Sequence, residues 1–112
     1  MKQINTEEIG INAMSKLRES AKGQPCLIRL PNHCEHNTET TVLCHLYGGG
    51  MGKKQSNAHG SFGCASCHAV VDGRAETDLP DYLIKLCFFW GMVRTQQWWL
   101  DNGYISIMGE EK

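Results

Sequence analysis

A small α+β fold held together by a metal staple is what this sequence predicts, and three observations predict it. Two cysteine pairs, Cys26 with Cys34 and Cys64 with Cys67, lie on either side of a β-branched apolar run, Thr40 to Tyr47. Stretches of helical apolar spacing flank this region at both ends. The chain has 112 residues, 41% of them hydrophobic, which fits one domain over 1–112 whose core alone confers only modest stability. Six cysteines are available to supply the missing constraint.

The N-terminal helix is expected over about 6–22. Asn5 or Thr6 caps it, Glu7 and Glu8 occupy its positive first turn, and Ile11, Met14, Leu17 and Ala21 form its apolar stripe. Lys16, Arg18 and Lys22 read as a solvated polar face, and Gly23 and Pro25 stop the helix. The core, about 24–76, opens with Cys26 to Leu30, a short strand closed by Pro31-Asn32. Thr40 to Tyr47 reads as a second strand antiparallel to the first, with His45 near its end on the face of Thr41 and Leu43. From Gly48 to Ser61 the composition turns to Gly, Lys, Gln, Ser and Asn, a surface loop. A helix from about Ser66 to Val71 ends at Gly73, which suits a left-handed C-cap. The C-terminal helix, about 79–102, carries Leu83, Leu86, Trp90 and Val93 at helical spacing; Gly91 in its middle implies close approach by another element. Tyr104 to Met108 is expected as a short strand or a docked tail.

The first residues contain no uninterrupted apolar stretch of leader type, and no run approaches membrane-spanning length. The expectation is a cytoplasmic protein without a membrane partner, whose reduced thiols bind zinc rather than pair as disulfides. A formal net charge of -1 argues against coating nucleic acid by bulk charge, so any such contact needs a local patch.

Four thiolates from two separated loops satisfy tetrahedral zinc, and Cys64-x2-Cys67 at a helix start is the stronger half because helix-terminal amides favour thiolate. The wider spacing of Cys26 and Cys34 leaves His33 or His36 open in place of Cys34. Cys44 and Cys87 sit in apolar runs and read as buried thiols. His68 and Asp72 are four residues apart and share a helical face, where they can hold a divalent cation with positions left for water and a phosphate oxygen. His45, on a strand reaching the same stapled corner, is then placed as general base on the attacking water. The chemistry implied is metal-dependent hydrolysis of a phosphodiester.

This arrangement resembles the HNH, or ββα-metal, endonucleases: an apolar strand ending in a base histidine, a loop, then C-x-x-C-H on a helix. More closely, Gln24 to Pro31, Glu39 to His45, Cys64-Ala65-Ser66-Cys67-His68 and Gly91 to Gln96 look like the YbcO-type family of lambdoid phages and prophages. The resemblance spans about Leu17 to Ile105. It implies an HNH-like ββα-metal core with a structural zinc, in the cytoplasm of a bacterial host, and a nuclease role proposed for the family from its fold. Carried over by position, His45 matches the base, Cys64 and Cys67 the zinc pair, and His68 the helix ligand; His59 falls where the pattern has its middle Asn or His. Many such enzymes have a metal-binding Asp or His before the base, where this chain has Cys44, so Asp72 is favoured as second ligand.

The expected local patch is Lys53, Lys54 and Arg74, on double-stranded or branched DNA, with Arg94 as a further candidate. Trp98 and Trp99 are expected to pack or to form a homodimer contact. The cofactor expectation is structural Zn2+ with Mg2+, Mn2+ or Zn2+ at the catalytic position. The competing reading is a non-catalytic zinc module that binds nucleic acid or a protein partner in phage recombination or DNA processing, with Cys44 as its mark.

Overall fold

The computed structural model describes residues 16–46 and 56–109. The predicted N-terminal helix up to residue 15, most of the glycine-rich loop, and with it Lys53 and Lys54, lie outside the described residues.

Val42–Cys44 (β1) pairs antiparallel with Ser61–Gly63 (β2), in the register Val42 to Gly63, Leu43 to Phe62 and Cys44 to Ser61. Among the described residues this two-stranded hairpin is the whole sheet. Ala65–Val71 (α1) follows β2 directly, and Asp81–Asp101 (α2) then crosses the hairpin. The fold is thus a small α+β arrangement.

The predicted strand Cys26 to Leu30 does not form. Its alternation is real, since Cys26, Ile28 and Leu30 are each about fully buried, but Arg29 adopts φ 56°, a left-handed turn that a ladder cannot contain. The segment wraps the cysteine cluster instead. Its Leu27 N–H donates to the Phe62 carbonyl at 2.9 Å and its Leu30 N–H points at the Cys67 sulfur at 3.4 Å. The true partner of β1 is Ser61–Gly63, which starts at the last residue of the stretch read as loop. The second predicted strand is also shorter than expected, because Thr38–Thr40 closes into a 3-10 turn capped by the Asn37 side chain.

Both faces of the hairpin are used. Leu43 and Phe62 meet Leu17, Ala21 and Trp99 on one side, while Cys44 joins Ile28, Leu30, Val70, Val71 and Phe88 around the cysteine cluster on the other. The indole of Trp99, wholly buried, donates to the Ser20 hydroxyl at 2.7 Å, and that hydroxyl donates to Leu17 O at 2.6 Å. Trp98 sits edge-on to Phe62 and against Tyr104, so both tryptophans pack inward.

α1 lacks a side-chain cap from Cys64, and Thr40 Oγ1 accepts the Ala65 N–H at 3.0 Å in its place. Its far end closes as the sequence implies: Gly73 has φ 81°, its N–H reaches Val70 O, and the Arg74 N–H reaches Ala69 O at 2.9 Å. α2 starts one residue beyond Pro80, whose fixed φ suits a helix entry. Its inner face is Phe88, Gly91, Thr95 and Trp99. Of the four residues at helical spacing, Leu86, Trp90 and Val93 face outward with Tyr82 and Phe89. The reason is that α2 is apolar on all sides, so periodicity alone cannot choose the face that packs.

The close approach at Gly91 is present. A Cβ there would meet Ser61 Oγ, and would lie 3.0 Å from Leu27 O and 3.1 Å from the Ile28 Cα. Around this point Thr95 accepts the Phe62 N–H at 3.0 Å and Arg94 donates to Leu27 O at 3.0 Å. Two of the three obstacles are backbone, which cannot rotate away. Gly91→Ala is therefore expected to destabilise by about 1–3 kcal/mol despite better helix propensity, read as a Tm several degrees lower in a thermal melt; a raised Tm would show that the seam relaxes freely.

Candidate metal and catalytic centre

Cys26, Cys34, Cys64 and Cys67 converge, with all four sulfurs within 4.8 Å of one another. Each arrives by a different local device. Cys26 begins the wrapped segment, and Cys34 follows a turn in which its N–H and that of His33 both reach Leu30 O. Cys64 is the residue before α1, and Cys67 lies one turn into it. Tetrahedral Zn–S bonds of about 2.3 Å imply S···S edges of about 3.8 Å, and Cys64 Sγ lies 3.9 Å from Cys34 Sγ. The donor set therefore fits a tetrahedral thiophilic ion. Cys34, rather than a histidine, completes the group: His33 Nε2 pairs with Thr77 Oγ1 at 2.8 Å, and His36 Nδ1 stands 3.6 Å from the Cys34 sulfur, outside the four.

The electrostatics agree with a site made for a cation. Hydrogen bonding from Cys67 holds Cys26 down to about 4 against the opposing effect of burial. The same hydrogen bond, with burial, drives Cys67 far up, and burial pushes Cys34 up to about 11. Packed thiols therefore resist carrying charge together, and a divalent ion relieves that conflict while displacing protons. Cys44 is different. It is fully buried, and burial above all raises its pKa beyond the ordinary thiol value, as suits a core thiol rather than a ligand. All six cysteines are free thiols.

His45 directly follows β1, and its Nε2 lies 3.0 Å from Oδ1 of Asn57, which is buried. An amide oxygen only accepts, so in this contact His45 donates from Nε2. Asn57 begins the 3-10 turn Asn57–His59 that leads into β2. His59, at the end of that turn, is exposed. The residue in contact with His45 is thus two positions earlier than the one singled out from the sequence. An Asn in a polar loop carries no periodic signal, and only its burial marks it.

His68 is half-buried on α1 beside Val42 and Leu43 of β1. Burial lowers its pKa, with Asp72 opposing and Arg74 assisting, so the neutral, ligating imidazole is favoured. Asp72 is the C-cap of α1, and its carboxylate accepts from Arg74 Nε at 2.7 Å. A predicted metal ligand and a predicted DNA contact are thus paired with each other. Among the described residues the cysteine quartet is the one group of three or more metal-binding side chains. Asp72 engages Arg74 through one carboxylate oxygen, Oδ2.

A family described as "Putative nuclease YbcO" matches residues 15–104. A protein of Escherichia coli (strain K12) named "Putative nuclease YbcO" is 37% identical over 96 residues, covering 83% of this chain and 99% of its own length. A protein of Enterobacteria phage 82 with the same description matches to the same extent. Among solved structures, "Structure of a putative bacteriophage protein from Escherichia coli str. K-12 substr. MG1655" superposes with a TM-score of 0.68 at 34% identity, covering 79% of this chain and 100% of that one.

Proposed function

The chain belongs to the YbcO family, and from that premise we propose that it is an HNH-type, ββα-metal endonuclease hydrolysing DNA phosphodiesters with a divalent cation. One observation carries the reading: a histidine at the end of β1, its Nε2 3.0 Å from Asn57 Oδ1, adjoins a hairpin that packs on the helix bearing His68. The order hairpin strand, hairpin strand, helix supports a ββα core, with the zinc-binding cysteines outside the reaction.

In this reading Nδ1 of His45 takes the proton from the attacking water while Asn57 keeps the ring in register. His68 would hold the cation, and that ion, when bound, supplies charge stabilisation at the phosphate and the leaving oxygen. The Asp72–Arg74 pair adjusts the field at His68. Cys44, turned into the core, would supply no ligand to that ion, leaving His68 as its holder from this chain. That feature is also what favours the second reading, a zinc module that binds without cutting.

The experiment is plasmid nicking with added Mg2+ or Mn2+ on zinc-loaded protein. Asn57→Ala is expected to lower kcat roughly 10- to 100-fold, as loss of an orienting partner does, with His59→Ala within a fewfold of wild type. The reverse ranking would return the middle position to His59. A wild type that binds DNA and never nicks it would establish the binding module.

Helix Asp81–Asp101 is not long and apolar enough to cross a membrane, and neither is any other described helix.

A further inference from the structure

Seven lysines and arginines lie among the described residues, and four are engaged. Arg74 pairs with Asp72, Lys85 with Asp81, Arg94 with Leu27 O, and Arg29 reaches back to Cys26 O at 3.4 Å. Lys16, Arg18 and Lys22 remain, exposed and close together in the chain. Two of these three line one groove.

That groove, about 340 Å³, runs between the helical residues 16–19 and β1 and includes His68. Its lining is almost wholly apolar: Val42 and Leu43 form one side with Thr41, and Arg18, Glu19 and Lys22 border the other. These three charged residues sum to one net positive charge. Lys16 belongs instead to a different cavity, beside Asn102 and Tyr104.

We infer that Arg18 and Lys22 hold the sugar-phosphate backbone of a DNA strand across this groove, and so deliver the scissile phosphate to His68. The inference rests on the endonuclease reading and adds its substrate-binding residues. The chemistry matches a nucleic-acid strand better than a free anion. Deoxyribose packs on an apolar surface, and cationic side chains hold phosphates without reading sequence. A net charge of -1 for the whole chain leaves a local cationic edge as the means of holding DNA.

The test is fluorescence-anisotropy binding of a duplex oligonucleotide to zinc-loaded protein over a salt series, with no catalytic cation added, beside nicking kinetics. For R18Q/K22Q the salt slope should fall by about 2, since each phosphate contact contributes about 0.9. Affinity at low salt should drop at least tenfold, and KM for nicking should rise with kcat little changed. Lys16→Gln should bind and nick as wild type does. Zinc content and circular dichroism establish that each variant is folded. An unchanged slope in R18Q/K22Q, or an equal loss in Lys16→Gln, overturns the inference while leaving the nuclease reading intact. Binding that depends on Arg18 and Lys22 without any nicking sustains the inference and sinks that reading. A folded wild type that binds no DNA sinks both.

Discussion

Stripping the metal from the cysteine quartet is expected to unfold the protein. The four sulfurs come from a wrapped segment, a turn and a helix start, and no ladder joins the first two to the hairpin. Two polar contacts, Leu27 N–H to Phe62 O and Leu30 N–H to the Cys67 sulfur, join that segment to β2 and α1 beside the packing of Ile28 and Leu30. Structural zinc in small domains contributes roughly 10–16 kcal/mol, which equals or exceeds the whole stability of a typical domain, about 5–15 kcal/mol. A strong chelator at neutral pH should therefore abolish near-ultraviolet dichroism and much of the helical signal, and added zinc should restore both. Cys67→Ser should behave like the chelated protein, whereas Cys87→Ser, outside the quartet, should stay folded. Acid should act in the same direction. Cys34 and Cys67 have raised pKa values in the metal-free chain, so protons compete with the ion, and holo-protein stability falls as pH falls. Persistence of the full fold in a chelator would mean that the apolar clusters suffice alone.

His45→Ala should reduce nicking by about 10²- to 10⁴-fold in kcat, the usual contribution of a positioned general base, with KM for DNA nearly constant. His68→Ala should cost at least as much, through loss of the cation, and part of that loss should return at higher Mn2+. Both variants must retain their zinc for the comparison to hold. The pH profile has a definite sign. Burial lowers the pKa of His68, so its neutral form survives below the ordinary histidine range, near 6.5, and the acid limb should lie at or below that value. Removing the opposing carboxylate with Asp72→Asn should move the His68 contribution lower still, because Asp72 favours the charged ring. Equal nicking by wild type and both alanine variants would assign the cutting to a contaminant.

Legibility in the sequence followed the strength of local constraint. Cys64-x2-Cys67 could be read because helix-terminal sulfur pairs have few other uses, and Gly73 because one backbone conformation there almost requires glycine. Gly91 announced the seam with β2 by its very presence in a helix. Ser61–Gly63 was invisible for the opposite reason. A strand of Ser, Phe and Gly has weak β propensity, and it exists because α2 and the Cys26 segment press on it from two sides. Cys26 to Leu30 carried the right alternation, yet the cysteine cluster and a left-handed Arg29 claimed it before any ladder could. On α2, Leu86, Trp90 and Val93 kept helical spacing while facing outward, since an all-round apolar helix gives the pattern no preferred side. Asn57 was missed because polarity suggests a loop tip, whereas its side chain is buried against His45. Of the DNA patch foreseen, Arg74 is paired with Asp72, Lys53 and Lys54 lie outside the described residues, and the unengaged cations among the described residues lie on the segment read as solvated.

Zinc K-edge absorption on the protein as purified reads the cysteine quartet itself. The expected spectrum shows one zinc per chain with a shell of four sulfurs at about 2.3 Å and no nitrogen. A metal-free protein, a Cys64–Cys67 disulfide, or a shell containing imidazole would contradict it.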